Sequence, residues 1–118
     1  MLGLLQRSFP PHSDYCTLAT MPSYFRDVDP RELRLPPSRR GADPVKLQRQ
    51  IAQFGASSAG MPSLIVYEAT DGVFVIYNGV TRATRIAKLA PGRLIRVEVI
   101  GRLLRAFGSE PKIGDQLP

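Results

Sequence analysis

The order of hydrophobic and polar positions changes at residue 78, and the predicted elements are arranged around this change. Residues 73–77 are continuously β-branched or aromatic, a pattern typical of a strand buried on both faces. Asn78 and Gly79 follow, and both residue types tolerate a positive φ angle, so the chain is expected to turn sharply there. Beyond the turn the pattern predicts a helix over residues 81–90, with Thr81 as its N-cap. The apolar positions of that helix recur at helical spacing: Ala83, Ile86, Ala87 and Ala90.

Further helix and strand signals lie on both sides of this unit. Asp43 followed by Pro44 predicts a helix start and Gly55 a helix end, so a helix is expected over residues 44–54. The Asp-Gly pair at residues 71–72 predicts a β-hairpin. Strands are expected over residues 24–28, 64–68, 73–77 and 94–100, with a last helical turn at 103–107. The prediction is an α+β fold: a small mixed β-sheet that contains a β-hairpin, with two or three packed helices.

The placement of proline predicts the domain boundaries. The chain has 118 residues and 11 prolines, which cluster before residue 45 and again near the C-terminus. We therefore expect an extended leader over residues 1–24, one folded domain over 25–107 and a flexible tail over 108–118.

Cysteine usage and hydropathy exclude several classes of protein. A single cysteine, Cys16, excludes an intrachain disulfide and a cysteine-based zinc site, and its thiol is expected to be inert. No metal site is expected. The chain lacks a secretion signal and any run of about 20 apolar residues, so we expect a cytoplasmic location and no membrane partner.

Positive charge is concentrated in one part of the chain. Residues 82–105 hold seven basic side chains against the single acid Glu98, and this excess equals the formal net charge of +6 of the whole chain. Such clustering favours an anionic partner: nucleic acid, a nucleotide or an acidic protein. A basic surface also promotes solubility, so a purely solvating role stays open as the alternative.

The predicted turn and helix start supply groups that bind phosphate. A helix N-terminus presents unpaired amides and about half a positive charge, and an arginine side chain can hold two phosphate oxygens at once. The expected phosphate-binding residues are Asn78, Gly79, Val80, Thr81 and Arg82. The basic side chains expected to contact nucleic acid are Arg39, Arg40, Arg85 and Lys88. In the simpler alternative, the glycine only ends a strand, the threonine only caps a helix, and the arginines form a solvated face.

The order of these elements resembles the ParB/sulfiredoxin-like domain. The resemblance covers roughly residues 25–101 and rests on four segments, residues 43–55, 62–67, 71–82 and 95–99. In that family a glycine ends the strand and, after two variable polar residues, an arginine opens a helix whose N-terminus binds nucleotide or nucleic-acid phosphate. Gly79 and Arg82 match these two positions, with Thr81 between them. The resemblance implies nucleic acid or a nucleotide as the partner, and a nucleotide with Mg²⁺ stays open as the cofactor.

The same residues separate the chain from the best-known members of that family. Sulfiredoxins carry their catalytic cysteine where this chain has Val80 and a histidine where it has Thr81, so sulfiredoxin activity is not expected. ParB proteins that partition chromosomes add a helix-turn-helix domain, for which this chain has no room. The sequence then resembles the shorter ParB-like domains that are often labelled nucleases, some of them toxin modules.

Catalysis needs groups that the turn itself lacks. Phosphodiester cleavage requires a general base or a metal ion, whereas Thr81 and Arg82 position phosphate without moving protons near neutral pH. The acids nearest to the turn in sequence are Asp43, Glu68 and Asp71. No pair of them has metal-ligand spacing, so the catalytic residues stay unassigned. Three functions remain open: phosphate binding with nuclease activity, non-catalytic binding or regulation on the same fold, and a kinase-like phosphotransfer.

Overall fold

Four β-strands form one mixed sheet: β1 (Thr17–Val28), β2 (Leu64–Glu68), β3 (Phe74–Asn78) and β4 (Ile95–Leu103). The computed structural model describes residues 17–118, with side chains described from Pro22 onward. The strands lie in the order β1-β4-β2-β3. β2 is antiparallel to β3 and parallel to β4, and β1 is antiparallel to β4. This topology confirms the predicted hairpin and the mixed sheet.

Two α-helices, α1 (Pro44–Phe54) and α2 (Val80–Leu89), accompany the sheet, together with short 3-10 helices at Pro30–Glu32 and Ile113–Gln116. Ala83 and Ile86 of α2 are fully buried in a core shared with alternate residues of β2, β3 and β4. Burial of this apolar stripe, rather than helix propensity, is what holds a ten-residue helix in place. Residues 17–118 form an α+β domain with a four-stranded mixed sheet and two α-helices, as predicted at that level.

The strand register brings the important turns to one end of the sheet. Leu64 pairs with Val97 and Ile65 with Asn78, so β2 and β4 begin where β3 finishes, and β1 finishes there too. We call this the Gly79 end, because the chain turns there from β3 into α2. The opposite end, which holds the turn between β2 and β3, is called the hairpin end.

The prediction that residues 73–77 form a strand buried on both faces is confirmed at its centre. Val75 and Ile76 face opposite sides of the sheet and both are fully buried, each in a different core cluster. Tyr77, by contrast, is 45% exposed. The reason is that β3 lies at the edge of the sheet, where continuous apolar sequence does not require burial on both faces. Its outer backbone is nevertheless paired, because Arg34 N donates to Phe74 O at 2.9 Å and Ile76 N donates to Arg34 O at 2.9 Å.

The predicted leader ends earlier than expected. β1 begins at Thr17, which pairs with Leu103, so residues 17–24 belong to the sheet rather than to a leader. Pro22 is tolerated within β1 because it lies where the pairing with β4 is irregular, between Thr20 and Tyr24, on a strand at the edge of the sheet. The remainder of the leader and the thiol of Cys16 lie outside the described residues.

The predictions of a helical turn at 103–107 and a flexible tail at 108–118 are both wrong. Leu103 ends β4, and the segment after it packs back on the domain, burying Phe107 completely and leaving Ile113 1% exposed. Ile113 N donates to Leu33 O at 2.8 Å, which ties this segment to the chain before α1. Contacts between segments so far apart in sequence leave no local pattern from which they could be predicted.

The helix after the turn begins one residue earlier than predicted. Its N-cap is Gly79, with a φ angle of 107°, and Thr81 is the second residue of α2 rather than the cap. Asn78 does not adopt a positive φ angle, so the glycine alone makes the turn. Asp43 is the N-cap of α1 as predicted, although its side chain forms no capping hydrogen bond.

Candidate functional site

The residues of the predicted turn line an open cleft of about 480 Å³ at the Gly79 end of the sheet. Three segments form its walls: the loop at residues 39–43, the first turns of α1 and the turn at residues 78–82. All five predicted phosphate-binding residues line it, and so do Arg39 and Arg40 from the predicted nucleic-acid contacts. The structure thus brings together two basic segments that are about 40 residues apart in sequence.

Gly79 allows the backbone to turn tightly at the base of the cleft. A side chain at this position would be strained by the φ angle of 107°. It would also collide with Cδ2 of the fully buried Leu64, and its Cβ atom would lie 2.9 Å from Nη2 of Arg82. Glycine is therefore required here both by backbone geometry and by the space available.

The N-terminus of α2 opens into the cleft. The first backbone hydrogen bond of the helix runs from Ala83 N to Gly79 O at 2.9 Å, so the amides of the three preceding residues have no acceptor within the helix. Gly79 has no side chain that could cap them. The residues that carry these amides, Val80, Thr81 and Arg82, all line the cleft. They supply the positive end of the helix dipole to its interior.

Cationic side chains outnumber acidic ones around the cleft. Arg39, Arg40, Lys46 and Arg82 line it, and Asp43 is the one carboxylate that does so among the residues the structure describes. Arg39 donates from Nη2 to the Tyr77 carbonyl at 3.0 Å, which holds the basic loop against the end of β3. An anion in this cleft would meet an excess of positive charge from three directions.

The Arg82 guanidinium stands at the inner boundary of the cleft. It forms a long hydrogen bond of 3.4 Å from Nη1 to the Pro62 carbonyl, on the loop between α1 and β2. Partial burial lowers the pKa of Arg82 from its ordinary value, although the group stays charged near neutral pH. A guanidinium that is partly desolvated and bonded only weakly keeps most of its donors for a ligand.

Arg85 has a different environment from the one the sequence suggested. It is 2% exposed, and its Nη1 donates at 2.7 Å to each of the Gly55 and Ser57 carbonyls. Its guanidinium also lies 5.3 Å from the ring centroid of Phe54. Burial lowers the pKa of Arg85, and no carboxylate contacts it in the described part of the chain. Arg85 therefore fastens the loop between α1 and β2 to α2, a role that helical spacing alone did not indicate.

The other sequence-predicted residues lie away from the cleft. Lys88 is exposed in the last turn of α2, at the opposite end of that helix. Glu68 lies at the hairpin end, where it accepts a 2.9 Å hydrogen bond from the Tyr24 hydroxyl. Asp71 also lies there, and its Oδ2 accepts from Gly108 N at 2.8 Å. Of the three acids considered as general bases, the structure places only Asp43 at the cleft.

Two polar side chains of the cleft were not singled out from the sequence. Lys46 and Gln50 are spaced four residues apart on α1 and therefore lie on one face of the helix, where both line the cleft. That spacing was the available signal. The pattern showed that Lys46 lies outside the apolar side of α1. It did not show that the helix face carrying Lys46 lies beside the start of α2.

No model of a known protein family matches the sequence, and no curated protein matches it. Within residues 17–118, neither α-helix combines the length and the apolar character needed to cross a membrane. Over the same described range, no three side chains of histidine, cysteine, aspartate or glutamate lie close enough together to hold a metal ion.

Proposed function

We propose that the chain is a ParB/sulfiredoxin-like domain whose cleft binds the phosphate groups of a nucleic acid or a nucleotide. One observation carries the proposal: the uncapped N-terminus of α2 opens into a cleft lined by four cationic side chains and one carboxylate. The order of a hairpin, a glycine turn and a helix, with β2 parallel to β4, supports the fold part of the proposal.

The geometry suits phosphate better than other anions. Three backbone amides converge at the start of α2, and the Arg82 side chain adjoins them. Amides at a helix start and an arginine fork together provide the several donors that a phosphate group accepts. Arg40 and Lys46 on the opposite walls would then attract further phosphates of a nucleotide or a polymer.

We propose binding without cleavage as the activity that these residues perform. The turn at residues 78–82 contains no histidine, carboxylate, cysteine or lysine, so none of its side chains transfers protons near neutral pH. Nuclease activity is the competing proposal. Incubation of the protein with plasmid DNA and with RNA, each with and without Mg²⁺, separates the two, because cleavage in any arm would contradict binding alone.

The binding proposal is tested by the affinity of a fluorescent single-stranded oligonucleotide, measured by anisotropy at low salt. Arg40→Ala is the main variant, because Arg40 is exposed at the cleft and its removal should leave the fold intact. We expect the affinity to fall about threefold to tenfold. Between about 50 and about 200 mM salt, the slope of log affinity against log salt should also decrease by about one.

Lys88→Ala is the matched control, since it removes an exposed cation of the same charge from the far end of α2. It should leave the affinity nearly unchanged. Equal losses for Arg40→Ala and Lys88→Ala would show that the oligonucleotide binds to diffuse basic surface, and the cleft proposal would then be abandoned.

A further inference from the structure

We propose that a small pocket beside the cleft receives the organic group of a phosphate ester, so that the two cavities together form one site for an aryl or alkyl phosphate. This inference rests on the proposed phosphate binding in the cleft. The pocket, which we call the Phe54 pocket, has a volume of about 90 Å³ and is lined by the end of α1, the loop at residues 59–62, Arg82 and Arg85.

The walls of the Phe54 pocket are mainly apolar. Phe54, Met61 and Pro62 line it, with Ala59 and Gly60 leaving room between them. Phe54 is 47% exposed although it is large and aromatic, so part of its ring is available for contact. An apolar ring placed against these side chains would remove their surface from water, which is favourable at about 25 cal/mol per Å².

The cation that lines the pocket is buried and largely satisfied. The Arg85 guanidinium, in a residue that is 2% exposed, donates to two backbone carbonyls through Nη1, to Gln50 Oε1 through Nε at 3.3 Å, and to Met61 Sδ through Nη2 at 3.4 Å. Four of its five N–H donors are thus used within the protein, so Arg85 does not provide a second anion site. Its contacts with Met61 and with the Phe54 ring instead hold two of the apolar walls in place.

Two residues connect the pocket to the cleft. Gln50 and Arg82 line both cavities. The Arg82 guanidinium lies between the Gly79 backbone on one side and the Pro62 carbonyl on the other. A phosphate held by Arg82 and the α2 amides would therefore have its ester group directed towards Phe54.

The size of the pocket limits the ester group to a single small ring or a short chain. An apolar cavity of about 150 Å³ accommodates benzene when fully enclosed. The Phe54 pocket is smaller but open to solvent, so one ring can enter without complete enclosure. The second ring of a fused two-ring group would stay outside a volume of about 90 Å³ and gain no further contact.

The test compares methyl phosphate, phenyl phosphate and 1-naphthyl phosphate as competitors of the labelled oligonucleotide. We expect phenyl phosphate to compete about fivefold to tenfold better than methyl phosphate, with no further gain for the naphthyl ester. Phe54→Ala should abolish the phenyl preference and leave competition by methyl phosphate unchanged. Ala59→Phe, which fills the pocket but keeps Phe54, should abolish the preference as well.

The control is Phe25→Ala, which removes a phenylalanine that is 53% exposed on β1, outside both cavities. It should keep the full phenyl preference. If the parent protein binds the phenyl and methyl esters equally well, the Phe54 pocket is not a subsite, while phosphate binding in the cleft stands. If neither ester competes although the oligonucleotide binds, the phosphate site in the cleft fails and the present inference fails with it.

Discussion

At the Gly79 end of the sheet, Arg39, Arg40, Lys46 and Arg82 surround a cleft that contains one carboxylate, Asp43. At the hairpin end, by contrast, the arginines lie close to carboxylates of their own. Arg102 is paired with Glu68 at 3.9 Å and Arg105 with Glu110 at 3.5 Å. The Gly79 end also holds ion pairs outside the cleft, Arg31 with Asp29 at 3.1 Å and Arg96 with Asp27 at 3.8 Å. The excess of positive charge is therefore a property of the cleft and not of the whole Gly79 end.

This difference shows what a clustered basic sequence does in the folded molecule. The exposed pairs at the hairpin end each contribute only about 0–1 kcal/mol to stability, but they reduce the positive potential there. The cleft keeps its potential, because its cations contact backbone carbonyls or solvent rather than acids. A solvating role would not require a cleft whose cations have no ion pair with the described carboxylates, and the contrast with the hairpin end therefore supports the proposed phosphate site.

The largest effect is expected from alanine at the two turn glycines. Gly79→Ala should lower the free energy of unfolding by about 2–5 kcal/mol, since it combines a positive φ angle with a collision against Leu64 and Arg82. Gly72→Ala at the hairpin end is the matched control, with a φ angle of 83° and open space around the added carbon. Backbone strain alone predicts a loss of about 1–2 kcal/mol there. If urea unfolding shows the same loss of free energy for both variants, the collision with Leu64 and Arg82 does not contribute to the effect of Gly79→Ala.

The next largest effect concerns the buried arginine beside the cleft. Arg85→Ala should lower the free energy of unfolding by about 2–4 kcal/mol, because the Gly55 and Ser57 carbonyls lose a charged donor and the interior loses packing. Arg102→Ala removes the same side chain at the exposed hairpin end and should cost about 0–1 kcal/mol. If Arg85→Ala lowers the free energy of unfolding no more than Arg102→Ala does, the Arg85 side chain does not hold the loop between α1 and β2 in place.

The smallest effect is a pH dependence that arises at the hairpin end. Slight desolvation raises the pKa of Asp71, but hydrogen bonds from the Phe107 and Gly108 amides outweigh it, and the pKa lies below its ordinary value. A lowered folded-state pKa stabilises the fold above the unfolded-state pKa, and this stabilisation is lost as the pH falls through the folded value. Urea unfolding of the parent and of Asp71→Asn, measured from about pH 7 down to about pH 3, should therefore converge in acid.

A difference between parent and Asp71→Asn that stays constant over this pH range would contradict the prediction. The hydrogen bonds from the Phe107 and Gly108 amides to the Asp71 carboxylate would then not stabilise the domain.

Local sequence patterns were sufficient to predict the helix ends and turns that depend on two or three neighbouring residues. The Asp43-Pro44 start and Gly55 end of α1, the Asp-Gly turn of the hairpin and the turn at Gly79 all follow from backbone preferences of two or three residues. The alternation of residues 95–99 likewise predicted the buried face of β4. By itself, the sequence therefore determined the class of fold and the turn at which α2 begins and opens into the cleft.

Tertiary packing decided the parts that depend on distant segments. Arg82 and Arg85 are one helical turn apart and chemically identical. Arg85 nevertheless lies in the interior, because carbonyls of the loop between α1 and β2 accept its hydrogen bonds. The C-terminal segment has little local pattern, and burial of Ile113 against Leu33 gives it a fixed position. Periodicity defines a helix face but not the segment that covers it. Whether an arginine binds a ligand or secures a loop depends on which distant carbonyls the fold brings within hydrogen-bonding distance.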